Sequence, residues 1–199
     1  MKHFILTTAA AAIILIPSGR LSSSGTDLDD WALFSAGAGK ANLIAWLQET
    51  AAVTIIGGEQ QNPIPGQIPP FYGDRGLFIT FIKNRKVRGC FGAFYHKNGN
   101  IESLLKYYIK GALFLDPRYR PLDPDELGNT EIILTIAGTP ERVDNINSIN
   151  LSGYGLLIEC SSGQGTVIVP EEFRTSSYIK KKFTEPGCEV SRFRAVTIK

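Results

Sequence analysis

The stretch Gly76–Phe94, GLFITFIKNRKVRGCFGAF, restricts this chain more than any other. Leu77 to Ile82 is apolar, aromatic or β-branched at every position, the composition of a strand covered on both faces. Lys83 and Lys86 flank Asn84-Arg85, a two-residue turn in which Asn tolerates positive φ. A hairpin closed by that turn pairs residue i with residue 169 − i, which sets Cys90 opposite Ile79 and Arg88 opposite Phe81. Strand alternation then projects Arg88, Cys90, Gly92 and Phe94 from one face, unless a bulge at either glycine resets the register.

That arrangement points to chemistry. A lone strand cysteine is ordinarily a small buried hydrophobe, but an arginine on the same face is rarely buried without a partner. Either the face opens into a cleft or a carboxylate elsewhere pairs with Arg88. Gly89 and Gly92 weaken a strand and mark a bulge or the close approach of a ligand or another backbone. Together these residues suggest a pocket floor.

The amino terminus reads as a targeting segment over residues 1–25: Lys2, an apolar run from Phe4 to Ile16, then Pro17-Ser18-Gly19. The run is short for a bilayer span and suits a secretory signal peptide. The expected setting is therefore exported, periplasmic or secreted; the alternative is a membrane anchor formed by an uncleaved segment. Of the 21 Lys/Arg residues two, Lys2 and Arg20, fall in this segment, leaving 19 against 19 Asp/Glu in residues 26–199. Such neutrality argues against nucleic acid as a partner. The basic clusters at Lys83–Arg88 and Lys180–Lys182 read as solvated charges.

Three cysteines, Cys90, Cys160 and Cys188, allow one bridge and one free thiol in an oxidising compartment. Cys160 with Cys188 is the expected pair if Cys90 is functional, although sequence alone leaves connectivity open. No metal or other cofactor is expected, because His3 lies in the leader, His96 stands alone and the cysteine spacing fits no common zinc pattern.

Residues 26–39 read as a lead-in linker tacked to the body by Trp31 and Phe34, ahead of a single domain over 40–199. A helix is expected over 40–56, ended by Gly57-Gly58. Gln60–Arg75, with four prolines, is an irregular loop that serves either as connection or as a wall beside the hairpin. Asn100 is placed to cap a helix carrying Ile101, Leu104, Leu105, Tyr108, Ala112 and Leu115 on one side, stopped by Asp116-Pro117. Strands are expected over 130–137, 154–160 and 165–169, a helix from Pro170 to about Phe183, and a short strand over 194–198.

Several separated motifs resemble those of one family. Gly-Leu-Phe-Ile-Thr-Phe, followed by Val-Arg-Gly-Cys-Phe-Gly, is similar to the signature of the AMMECR domain family. Asp116-Pro117-Arg118-Tyr119-Arg120-Pro121-Leu122 resembles its asp-pro-arg-phe-x-pro-leu segment. Glu126-Leu127, Glu131-Ile132, Pro140-Glu141, Gly153–Leu156 and Gly165–Pro170 fall in order as its later elements, so the likeness spans about residues 40–183. Phe91 stands where the family usually has Ile, and Tyr154 where it usually has His. The resemblance implies an α+β fold with antiparallel β-sheets flanked by helices in a compact two-lobed domain. It implies no assigned reaction; bacterial and archaeal members travel with a dioxygenase-like protein and a radical-SAM protein, which suggests an accessory role. Carried onto this chain, the signature falls on Arg88, Gly89, Cys90 and Gly92, with Asp116, Pro117 and Arg118 as a second element.

Two readings of function follow. In the first, a binding domain uses Arg88 and Arg118 to hold a small anionic ligand or a partner's chain segment in a pocket lined by Arg88, Gly89, Gly92 and Asp116. In the second, an enzyme uses Cys90 as nucleophile, its thiolate favoured by Arg88 and opposed by apolar Ile79. The second lacks a dependable base, since His96 sits at a hairpin end.

Overall fold

The computed structural model describes residues 26–96, 99–144, 153–163, 165–170, 172, 181 and 185–199. The targeting segment expected over 1–25 lies outside them, as does the helix expected from Pro170 to Phe183 apart from Pro170, Glu172 and Lys181.

The hairpin forms as β1 (Gly76–Lys83) and β2 (Lys86–Ala93), turning through Asn84 and Arg85 with φ of 51° and 62°. Two positive φ values match the right-handed twist of the strands. Pairing begins as expected, with Lys83 facing Lys86 and Ile82 facing Val87, and then slips: Phe81 faces Gly89, and Cys90 faces Thr80. The expected register is corrected by this bulge, which leaves Arg88 as the extra, unpaired residue.

β1 is a central strand, flanked on its other side by β3 (Glu131–Ala137). The sheet continues through β7 (Cys188–Ile198) to β5 (Tyr154–Cys160) and β6 (Gly165–Ile168), in the order β2-β1-β3-β7-β5-β6, every pairing antiparallel. β4 (Glu141–Arg142) pairs with β7 off this path. The long β7 holds the sheet together: Ala195–Ile198 pair with β3, and Cys188–Arg194 with β5. Sequence alternation reveals only its end, because its buried residues run Val190, Phe193, Val196, Ile198, a spacing that breaks period two as the strand curls between the two halves.

Helices α1 (Thr26–Ala36), α2 (Gly39–Ile55) and α3 (Ile101–Phe114) cover one face, where Leu77, Ile79 and Phe81 meet Leu43, Leu47, Leu105 and Ile109. The stretch read as a lead-in is thus a helix, whose Trp31 is fully buried and donates through Nε1 to Pro70 O at 3.2 Å. α2 ends as expected: Gly57 takes φ +80°, and Gly57 and Gly58 donate to Thr54 O and Val53 O. Asn100 caps α3, its Oδ1 accepting from Ser103 N at 2.9 Å. Leu115, expected on the buried side, is instead 54% exposed beyond the last turn. The proline-rich loop packs Ile64, Ile68 and Phe71 against the helical core, so it is a wall as well as a connection. The opposite face of the sheet buries Phe78, Phe94, Phe193, Leu157 and Val169. Cys160 and Cys188, directly opposite each other on β5 and β7, form the disulfide and leave Cys90 free.

Candidate functional site

The bulge separates two residues that simple alternation would set side by side. Thr80 and Cys90 share the face away from the helices, and Thr80 Oγ1 donates to Cys90 Sγ at 3.3 Å. Arg88 turns to the other face and meets the carboxylate of Glu126, which also receives Lys83 Nζ at 3.0 Å. Glu126 lies on the short helix α4 (Pro124–Leu127), whose capping box it closes with Asp123. Arg88 spends its donors there: Nη2 to Glu126 Oε2 at 2.8 Å and Pro121 O at 3.1 Å, Nη1 to Arg120 O at 2.8 Å, Nε to Glu126 Oε1 at 3.4 Å. Hydrogen bonds from Arg88, then Lys83, hold the Glu126 carboxyl down to about 2. Of the two alternatives open for Arg88, a cleft or a carboxylate, the carboxylate holds.

The glycines are explained by backbone and ring packing. A side chain at Gly89 would run into the Ala112 carbonyl of α3, and one at Gly92 into Leu77 O and the Phe78 ring. Gly111 of α3 likewise makes room for the Phe91 ring. Three surface depressions formed by described residues are lined by other positions, and Arg88, Gly89, Cys90 and Gly92 line none of the three.

Cys90 belongs instead to a polar cluster built by the chain after α3. Its backbone N–H, pointing off the edge strand β2, donates to Asp116 Oδ2 at 2.8 Å. Asp116, 5% exposed, accepts as well from Arg118 N (3.0 Å), Nε (3.0 Å) and Nη2 (2.9 Å). The helix stop at Asp116-Pro117 and the guanidinium clamp are therefore one structure. Arg118 Nη2 also meets Glu172 Oε1 at 3.0 Å, and Glu172 is 3% exposed. The guanidinium rests 5.4 Å from the Tyr119 ring centroid.

The electrostatics follow from this packing. Burial, reinforced by the charge of Glu172, pushes the Cys90 thiol up to about 12, against the smaller downward pulls of Thr80 and Arg118. Burial also pushes Asp116 up, but the hydrogen bonds and charge of Arg118 and the Cys90 N–H together outweigh it and hold the carboxyl below its usual range. Arg118 is drawn further up by its two carboxylates despite the opposing effect of burial. His96 is taken elsewhere: its ring nitrogens lie 2.7 Å from Tyr108 Oη and 2.8 Å from Arg75 O, and burial lowers its pKa. The carboxylates near Cys90, Asp116 and Glu172, are both bound by Arg118, while the thiol itself meets the Thr80 hydroxyl. No described group of His, Cys, Asp and Glu could hold a metal ion.

Of the residues singled out from sequence, the structure gathers Cys90, Asp116 and Arg118 and sets Arg88 apart. Gly89 and Gly92 serve the packing of α3 and β1. Thr80 and Glu172 complete the cluster without having been anticipated. Thr80 was hidden by the register slip, and Glu172 lies 54 residues from its guanidinium partner, with no local pattern to connect them.

Comparison with known proteins agrees with this architecture. The AMMECR1 family model matches residues 46–196. A protein of Methanococcoides burtonii is 30% identical over 117 residues, covering 56% of this chain and 57% of its own. One from Methanothermobacter thermautotrophicus is 26% identical over 159 residues, covering 69% and 82%. One from Methanosarcina acetivorans is 25% identical over 129 residues, and the match spans 64% of its length. An uncharacterized protein of Pyrococcus horikoshii has a similar solved structure, with TM-score 0.62 and 17% identity over 82% of this chain and 93% of that one. At that identity the likeness is one of fold.

Proposed function

This chain belongs to the AMMECR1 family, whose biochemistry is unassigned, and on that premise we propose that it acts by binding. The open edge of Arg118, beside Cys90, takes a carboxylate or carbonyl oxygen from a small anionic ligand or from a partner's chain segment. What carries this reading is the state of one guanidinium. Asp116 and Glu172 occupy Nε and Nη2, Nη1 has no partner among the described residues, and the side chain is still 35% exposed. A guanidinium already fixed through Nε and Nη2 loses little freedom when the N–H groups of Nη1 donate to a ligand oxygen. With both carboxylates ionised the cluster carries a net negative charge, so directional hydrogen bonding, more than bare attraction of anions, selects the ligand.

Cys90 serves as a small neutral wall. The nucleophile reading needs a thiolate, and a thiol raised to about 12, whose neighbouring carboxylates are engaged by Arg118, is poorly placed to supply one. The apolar run of residues 4–16 and the Cys160–Cys188 bridge both favour an exported protein working in an oxidising compartment. Among the described residues no helix is long and apolar enough to cross a membrane.

The test compares the wild type with Arg118→Lys, which keeps the charge but not the fork. Thermal melting with acetate, succinate or citrate at constant ionic strength should raise the wild-type midpoint and leave Arg118→Lys unmoved. An equal response in both proteins, or none in the wild type, overturns the reading.

A further inference from the structure

A second site lies between α2 and α3, away from the Arg118 cluster. Thr50 and Thr54 of α2, Lys106, Tyr107, Lys110 and Phe114 of α3, and the returning loop Gly57–Gln60 enclose a groove of about 560 Å³. That volume suits a small organic molecule.

The donors are of one kind. Lys106 Nζ is fixed by Glu102 Oε1 at 2.7 Å and Gln60 O at 3.2 Å, which uses two of its three N–H groups. Lys110, four residues on and therefore on the same side of α3, is exposed and has no ion-pair or hydrogen-bond partner among the described residues. Glu59 is the one acidic residue of the lining. Gln60 is 8% exposed and its Oε1 accepts from Asn62 N, while its Nε2 is a buried donor without a partner. Buried donors are nearly always satisfied; Gln60 lines the groove, and an acceptor carried into it that reaches Nε2 would supply the missing bond.

The walls are flat and apolar. Tyr107 is 55% exposed, yet its ring is held edge-on to Phe91 at 5.9 Å and tilted against Tyr108 at 5.5 Å. A large ring exposed but fixed is a ready stacking surface, and Phe114 adds a second apolar contact.

We propose that this groove binds a small molecule bearing an oxyanion on a flat aromatic body, the oxyanion meeting Lys106 and Lys110 and the ring lying on Tyr107. A carboxylate or a phosphate would satisfy the same donors, and paired probes separate them: benzoate against benzyl alcohol, and AMP against adenosine. Each is titrated into the full mature chain while its amide spectrum is followed by NMR. At least one anionic probe should shift Gly57, Gly58, Gln60 and Tyr107 and bind about tenfold tighter than its neutral partner. Lys110→Gln, a change at an exposed and unpaired side chain that leaves the fold alone, should weaken that probe at least about fivefold. The same binding should persist in Arg118→Lys, which separates this groove from the other site. Equal affinity for neutral and anionic members of each pair overturns the proposal, as does indifference to Lys110→Gln. Shifts confined to the neighbours of Arg118 overturn it too and assign the anion to that cluster.

Discussion

The reactivity of Cys90 is the sharpest quantity the structure offers, because one number separates a neutral wall from a nucleophile. Burial moves the thiol from an ordinary value near 9 to about 12. Three pH units are about a thousandfold less thiolate at any pH well below both values, and the thiolate is the species that alkylates. With Cys160 and Cys188 bridged, Cys90 is the one thiol available to iodoacetamide. At pH 8 the folded protein should therefore react on the order of 10³-fold more slowly than the same protein unfolded in guanidinium without reductant. Glu172→Gln removes the second cause of the upward shift and should speed the folded reaction. The same shift bears on stability. A group whose folded pKa lies above its unfolded one contributes fully below the unfolded value, here near 9, and loses that contribution as pH climbs toward 12. Because Cys90 keeps part of its surface exposed, the amount is at most on the order of 4 kcal/mol, and Cys90→Ala should lose that part of the alkaline limb. A folded-state rate within tenfold of the unfolded one, or a rate profile breaking below pH 8.5, would refute the burial reasoning and restore the nucleophile.

Two further outcomes test the supports of the site. Gly89→Ala drives a methyl into the Ala112 carbonyl, a backbone atom that only a shift of α3 can relieve; overpacking of this kind costs about 1–3 kcal/mol. Calorimetry should show a midpoint lowered by roughly 2–4 °C per kcal/mol for a chain of this size, while Gly128→Ala, where nothing lies within 4 Å, stays near the wild type. Asp116→Ala removes at once one of the two carboxylates that hold Arg118 and the acceptor of the Cys90 N–H. Breaking a buried pair costs about 3–5 kcal/mol, and here the loss falls at or below the lower end because Glu172 still holds Arg118, which is partly exposed. Because the Asp116 carboxyl is held below its usual range, its contribution is present at neutral pH and fades as pH falls below about 4. Denaturant melts at pH 3 and pH 7 should differ more for the wild type than for Asp116→Asn.

The residues that could be read from the chain were those whose physics is local. An unbroken apolar run, a turn tolerant of positive φ, an N-cap and an Asp-Pro stop each act within a few positions, and β1, β2, α3 and the end of α3 were legible for that reason. The helix α1 was not, because Gly37 and three aspartates over Thr26–Gly39 look like loop chemistry until Trp31 finds its place in the core. A bulge beside one of the glycines was legible as an alternative, but not that Arg88 is its extra residue, because composition does not mark which residue is inserted. From sequence, Gly89 and Gly92 mark a bulge or the close approach of a ligand or another backbone, and it is backbone and ring packing, of α3 and of Leu77 and Phe78, that they admit. Glu172 and Glu126 became partners only through tertiary packing, 54 and 38 residues from the arginines they hold.

That single slipped residue also decides how the charges divide their labour. Without it, Arg88 would stand beside the thiol, lower its pKa and give the edge strand a cationic face. With it, Arg88 crosses to the helical side, where every nitrogen of its guanidinium meets an acceptor and the segment Arg120–Glu126 is fastened to the hairpin. Four of its five N–H groups are used in this way. Arg118 reaches the thiol's side from a different element, gives Nε and Nη2 to two carboxylates and remains partly exposed. In the proposed binding site, the backbone of β2 is the floor and the chain after α3 brings the donor. In the Arg-Gly-Cys signature it is the cysteine's N–H, capped by Asp116, that links the two.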